Sequence, residues 1–167
     1  RVLFRSNAKT LVSRKLLVRQ AMIAAIYAVL TWMIPSLSYG PIQFRISEVM
    51  TLLAFFNPEY IVGLTVGCAI SNLLSSLGMI DVVVGTLASF LALTAMSKIK
   101  NIWIASLMPA VFSVLIGLEI VFISPEPVSF IVVTAQIMLS EFIIVTILGV
   151  PLFKNLMKNS TFKNLIS

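Results

Sequence analysis

The chain has 167 residues, 59% hydrophobic and only 11% charged, with a mean hydropathy of +1.07. A soluble domain carries about 25% charged residues, so this chain lacks the polar surface to cover itself in water and reads as an integral membrane protein. The net charge of +6 invites a nucleic-acid reading, but the cations sit in the two tails and one short turn, as on the cytoplasmic side of a membrane protein.

Continuous apolar runs, rather than alternation, exclude a β-barrel and give an all-α class. The length suits one domain of about six spans at roughly 20 residues each. With no His and one Cys, the sequence offers neither a metal-ligand set nor an internal disulfide.

Residues 1–15 read as a basic tail, 16–153 as the membrane domain and 154–167 as a second basic tail. The first span covers Leu16–Tyr39, too long an apolar run for a cleavable signal peptide and without a small-residue cleavage site. A polar island follows, Ile42-Gln43-Phe44-Arg45-Ile46-Ser47-Glu48, and its Arg45 is the only Lys or Arg between Arg19 and Lys98. The second span, Glu48–Phe56, is short. At helical rise it covers about 14 Å of a roughly 30 Å core, so it must tilt, borrow from the loop or be shielded by its neighbours.

Asn57-Pro58-Glu59 reads as a helix start, with Asn as N-cap and Pro in the first turn. The third span is Glu59–Leu77, broken at Gly78; Asp81 is expected to cap a fourth span that runs to Ser97. Lys98, Lys100 and Asn101 make a polar turn before the fifth span, Ile102–Ile123. Ser124-Pro125-Glu126-Pro127 breaks the chain again, and the sixth span is Val128–Phe153. Six crossings with both termini inside put six cations in the N-terminal tail, two in the Lys98 turn and three in the C-terminal tail on one side, eleven of the twelve. That bias predicts an N-in, C-in topology.

Five acids, Glu48, Asp81, Glu119, Glu126 and Glu141, lie in the spans or on the far side, and only Arg45 faces them. An ionisable group at the centre of a span costs about 2.5–3.5 kcal/mol on insertion scales. Glu119 and Glu141, inside spans five and six, are therefore candidates for binding or coupling. Glu126, between two prolines, reads as a solvated loop acid. Arg45 with Glu48 is either a loop brace or part of a site, and Asp81 either a cap or a ligand. Asn72 is either interhelical glue or a contact. The surplus of acid predicts an outward-opening site for a small cationic or donor-rich solute.

Gly63, Gly67, Ser71 and Ser75 form a small-residue stripe on the third span, expected to pack internally. Ala21, Ala24, Ala25 and Ala28 give overlapping small pairs on the first, suited to internal packing or to a partner. No phosphate-binding loop and no nucleophile–base set is present, so any ATP-driven step belongs to another polypeptide and catalytic residues are not expected.

Gln43-Phe44-Arg45-Ile46-Ser47-Glu48, the Asn57-Pro58-Glu59 turn, Gly63-Leu64-Thr65-Val66-Gly67-Cys68 with Asn72-Leu73-Leu74, and Asp81–Ala88 follow one another in order. With Gly117-Leu118-Glu119, Glu141 and Gly149-Val150-Pro151-Leu152, the run resembles the queuosine-precursor (QueT-type) family of substrate-binding S components of energy-coupling-factor transporters, over Val18 to Leu152. The resemblance implies a six-helix bacterial plasma-membrane subunit that captures a deazaguanine, whether the aminomethyl or cyano precursor or queuine. It also implies a membrane coupling protein (the T component) and two cytoplasmic ATPases as partners, with no cofactor on this chain. In such systems the alanine-rich first helix docks the partner, which promotes Ala21, Ala24, Ala25 and Ala28. The Arg45–Glu48 loop would act as the outer gate, Glu119 and Glu141 as acceptors for ammonium and guanine-like donors, and Asn72 and Asp81 as polar supports. Competing readings are an S component for a vitamin or aromatic amino acid, a stand-alone proton-coupled carrier, and a structural membrane subunit.

Overall fold

The computed structural model describes residues 2–39 and 43–166; Arg1 and Ile42, the first residue of the polar island, lie outside them. The described residues are helical with no strand. Among the described residues four segments are long and apolar enough to cross a membrane: Arg14–Met33, Met79–Lys98, Ile102–Ile123 and Phe130–Leu156. Two shorter apolar segments, Ile46–Phe56 and Tyr60–Asn72, lie between the first and second of these.

Helix α1 runs Val2–Met33, so it begins inside the segment expected to be a tail. Nothing there stops it: residues 2–34 contain neither Gly nor Pro, and its Leu, Arg, Lys and Ala favour helix. It ends at Ile34, which precedes Pro35 and is extended at φ −132°, ψ 73°. One turn, α2 (Pro35–Ser38), follows. The expected single span to Tyr39 is therefore broken five residues early.

The short second span winds as a 3-10 helix over Ile46–Leu52 and continues as α3, Leu53–Phe56. This winding is its answer to shortness. With a rise of about 2.0 Å per residue in the 3-10 part, the eleven residues reach about 20 Å, where the same eleven wound as α-helix would reach about 16 Å. Asn57 is not the cap of the next helix that the sequence predicts: its Oδ1 accepts from Glu59 N at 3.0 Å in the turn ahead of it, and α4, Tyr60–Asn72, has Glu59 at its N-cap position. α4 stops short of Leu77, and Ser75 falls in the turns beyond it. Gly78 sits at φ 73°, ψ −150°, a conformation essentially reserved for glycine, and launches α5, Met79–Lys98.

Asn101 caps α6 (Ile102–Ala105) through Trp103 N, and α7 (Met108–Phe112) and α8 (Val114–Ile123) complete the fifth expected span. The sixth is not uniform. α9 (Phe130–Glu141) widens into a π-helix over Phe142–Gly149 before α10, Val150–Leu156. Pro151 has no N–H to offer the turn before it, which favours the irregular winding there. A last helix, α11 (Ser160–Ile166), lies in the expected C-terminal tail and was not foreseen. It folds back: Phe162 meets the Phe153 ring at 6.2 Å, and Asn57 Nδ2 donates to Ile166 O at 3.4 Å.

The small-residue stripe of α4 faces α1. A Cβ on Gly67 would stand 2.9 Å from Tyr27 Cβ and 3.0 Å from the Ala24 carbonyl, and Ser71 Oγ donates to Thr31 Oγ1 at 3.3 Å. Ala24 and Ala28 are buried in this contact, whereas Ala21 and Ala25 remain exposed. The four alanines thus divide: Ala21 and Ala25 keep an open face, while helical spacing turns the other two toward α4.

The ends of the bundle are chemically distinct. Arg19 lies over the Tyr60 ring at 6.0 Å, Phe56 stacks on Phe153 at 5.7 Å, and Lys154 lies over Trp103 at 4.7 Å. These contacts gather the middle of α1 around Arg19, the Asn57 turn, the Lys98–Asn101 turn and the C-terminal helices at one basic end. At the other end, Tyr39 OH donates to Ser71 O at 2.5 Å and Arg45 reaches Asn72.

Candidate functional site

The polar island is pulled into the bundle. After α2 the chain doubles back, Phe44 N donating to Leu37 O at 2.8 Å. Gln43 adopts the left-handed conformation (φ 48°), uncommon for a side-chain-bearing residue, and Ser140 Oγ on α9 holds its carbonyl at 2.9 Å. This tether carries Arg45 inward to 4% exposure.

Around Arg45 the partners are specific. Nη1 donates to Asn72 Oδ1 at 2.9 Å, Nε to Ser38 O at 3.3 Å, and Nη2 lies 3.7 Å from Asp81 Oδ2. The Tyr39 ring is 5.5 Å from the guanidinium carbon, within cation–π range. Asn72 is fixed from its other side, Nδ2 donating to Asp81 O at 3.1 Å. Gly85 makes the room: a Cβ there would meet Asn72 Nδ2 at 2.6 Å and Asp81 Oδ1 at 2.7 Å.

Two expectations change here. Asp81 is not a cap; Gly78 takes that place, and Asp81 sits in the first turn of α5, fully buried against Arg45. Nor does Arg45 brace Glu48. Glu48 instead accepts a hydrogen bond from Tyr27 OH on α1, and Thr31 and Ser47 hydroxyls meet beside it at 2.6 Å. The inward path of the loop sends the guanidinium toward α4 and α5 and leaves Glu48 facing α1.

Between these groups lies a cavity of about 20 Å³, whose walls include Gln43, Arg45, Glu48, Ser89, Ser113 and Glu141. That is room for about one water, whereas sites for small organic ligands run from roughly 300 Å³. Gln43 and Arg45 form one wall of the cavity. Glu141, at the α9–π junction, is 7% exposed, and its Oε2 has no hydrogen-bond partner among the described residues. Glu119 on α8 is 5% exposed, and neither carboxylate oxygen has a hydrogen-bond partner among the described residues. It does not line the cavity but stands within electrostatic range of Asp81 and Arg45. Asp81 oxygens likewise lack a hydrogen bond despite the ion pair.

The structure therefore brings Arg45, Glu48 and Glu141 to one cavity, seats Asn72 and Asp81 behind Arg45, and sets Glu119 farther out. Among the described residues one buried guanidinium serves four buried carboxyl groups. Buried polar atoms without partners are costly, and unpaired buried charges more so. Such a set is poised for a ligand that brings donors or positive charge. Glu126 is exposed, as a loop acid should be. Sequence reasoning missed Tyr27 as the partner of Glu48 and Ser140 as the loop tether. The signal for Tyr27 was its place among Ala24, Ala28 and the Gly67 stripe, a polar tip aimed at the bundle interior.

Comparison with known proteins adds a family. A family model described as QueT transporter matches residues 17–158, a span that contains every residue of the site. Over 77 residues the chain is 51% identical to the queuosine precursor transporter QueT of Lactococcus lactis subsp. cremoris (strain MG1363). That match covers 44% of this chain and 44% of the relative, less than half of its length. No solved structure matches. With the polar island, the buried acids and the helix contacts all inside the matched span, the chain belongs to the QueT transporter family.

Proposed function

We propose that the protein is the substrate-capturing S subunit of an energy-coupling-factor importer for a queuosine precursor, a deazaguanine. The observation that carries this reading is Arg45, the one buried cation among the described residues, set among Glu48, Asp81, Glu119 and Glu141 beside a small cavity. An aminomethyl-deazaguanine offers an ammonium group and a guanine-like donor edge, both matched to carboxylates. Glu141 and Glu48 meet the ligand first; Glu119 comes within reach as the cavity widens. Arg45, held by Asn72 and Asp81, takes the ring carbonyl and closes the mouth with its loop. Six crossings with both termini cytoplasmic in a bacterial plasma membrane complete the arrangement. Ala21 and Ala25 form the face for a membrane coupling protein whose two ATPases supply the energy.

The test is calorimetric titration of the purified protein with aminomethyl-deazaguanine, cyano-deazaguanine and queuine. The aminomethyl form should bind most tightly, and Glu141→Gln should weaken it roughly 10- to 100-fold, the value of a charge-assisted hydrogen bond. Absence of binding to all three deazaguanines overturns the reading. Vesicles containing this chain alone should show no uptake under a pH gradient.

A further inference from the structure

A second, larger concavity, which Arg45 does not line, lies at the basic end of the bundle. Its volume is about 650 Å³, and it opens along the side of α1. Arg14, Lys15 and Arg19 stand at its basic part, and among the described residues no acid lines it. The rest of the wall is apolar: Met22 and Ile26 on α1, Met50 and Leu53 across from them, and Phe162 and Ile166 of α11.

We infer that this groove is a binding site for an anionic phospholipid. Charge is the first argument. Three cations gathered at one end of an apolar groove, with no acid among its described lining residues, suit a phosphate headgroup above hydrocarbon, and basic pockets between membrane helices recognise such headgroups. Arg19 is already positioned, its guanidinium over the Tyr60 ring at 6.0 Å, which leaves its outer edge to meet an anion. Length is the second. Lys15 and Arg19 share a face of α1, and from Lys15 to Ile26 the helix advances eleven residues, about 16 Å. Half of a roughly 30 Å hydrocarbon core is about the same depth, so an acyl chain held at the cations would run the apolar wall within one leaflet. A soluble acidic peptide would match the cations but not the apolar wall.

Delipidated protein in detergent, offered phosphatidylglycerol or phosphatidylcholine and analysed by native mass spectrometry, tests the site. Phosphatidylglycerol should be retained at least about tenfold more, and the combined Arg14→Gln, Lys15→Gln, Arg19→Gln variant should abolish that preference. Raising the salt concentration on the unaltered protein should erode it as well, which keeps the test valid if the triple variant folds poorly. Met22→Trp, which fills the groove, should reduce retention of both lipids. Equal retention of the two lipids, a preference indifferent to salt, or a groove covered by a second copy of the chain in the detergent particle would each overturn the inference.

Discussion

At Arg45 the side chain and its neighbours are interdependent, and substitutions there should separate stability from binding. Removing the guanidinium with Arg45→Met leaves Asp81 buried without its ion pair and Asn72 Oδ1 without its donor. Thermal unfolding should report a loss of about 3–5 kcal/mol. Arg45→Met combined with Asp81→Leu replaces the pair by apolar packing and should recover most of that stability while deazaguanine binding stays lost. If the double variant is as unstable as the single, Asp81 is not the group that Arg45 neutralises. Tyr27→Phe, which strips the donor from buried Glu48, should cost about 1–3 kcal/mol by the same measurement. The sequence revealed which residues are out of place in lipid, because composition alone marks a lone cation and surplus acids. It did not reveal who pairs with whom. Pairing depends on the left-handed turn at Gln43 and the Ser140 tether, two contacts without a local signature.

Among the elements, apolar runs were legible and their internal winding was not. The four long apolar segments fall where continuous hydrophobicity placed them, since length and composition suffice. Local winding is decided by backbone hydrogen bonds that hydropathy does not encode. So the 3-10 turn of Ile46–Leu52, the early end of α4 and the π segment after Glu141 went unseen. The π segment has the clearest consequence. A π-helical stretch acts as an inserted residue in an α-helix, and it sets the rotation of Glu141 relative to α10. Deleting exposed Ile147 should let the segment relax to α-helix and turn Glu141 by about 100° relative to α10. Ligand binding should then vanish while the helical circular dichroism signal is kept. Binding at unaltered strength would mean that the π winding has no role in aiming Glu141.

For the whole molecule, the question is whether the 11-residue segment Ile46–Phe56 carries the chain from one face of the bundle to the other. Its first residues lie beside upper α1, where Ser47 meets Thr31, and its last lead to Asn57, which touches the C-terminal helix. Arg19, Lys154 and the Asn57 turn all contact that same end, so the segment links opposite ends despite its length. The consequence in a membrane is specific. If this segment crosses, the start of α1, the Lys98–Asn101 turn and the C-terminal helix share one side; if it does not, the latter two move away from the first. Single cysteines at the exposed positions Lys15, Ser76, Lys100, Glu126 and Asn159, in a Cys68→Ala background, read this directly with a membrane-impermeant maleimide. Positions 76 and 126 should label in intact cells, and 15, 100 and 159 only after permeabilisation, as the positive-inside bias requires. Labelling of 100 and 159 in intact cells while 15 stays protected would show that the short helix turns back, and would place the buried acids on a different path from the one drawn by Arg45.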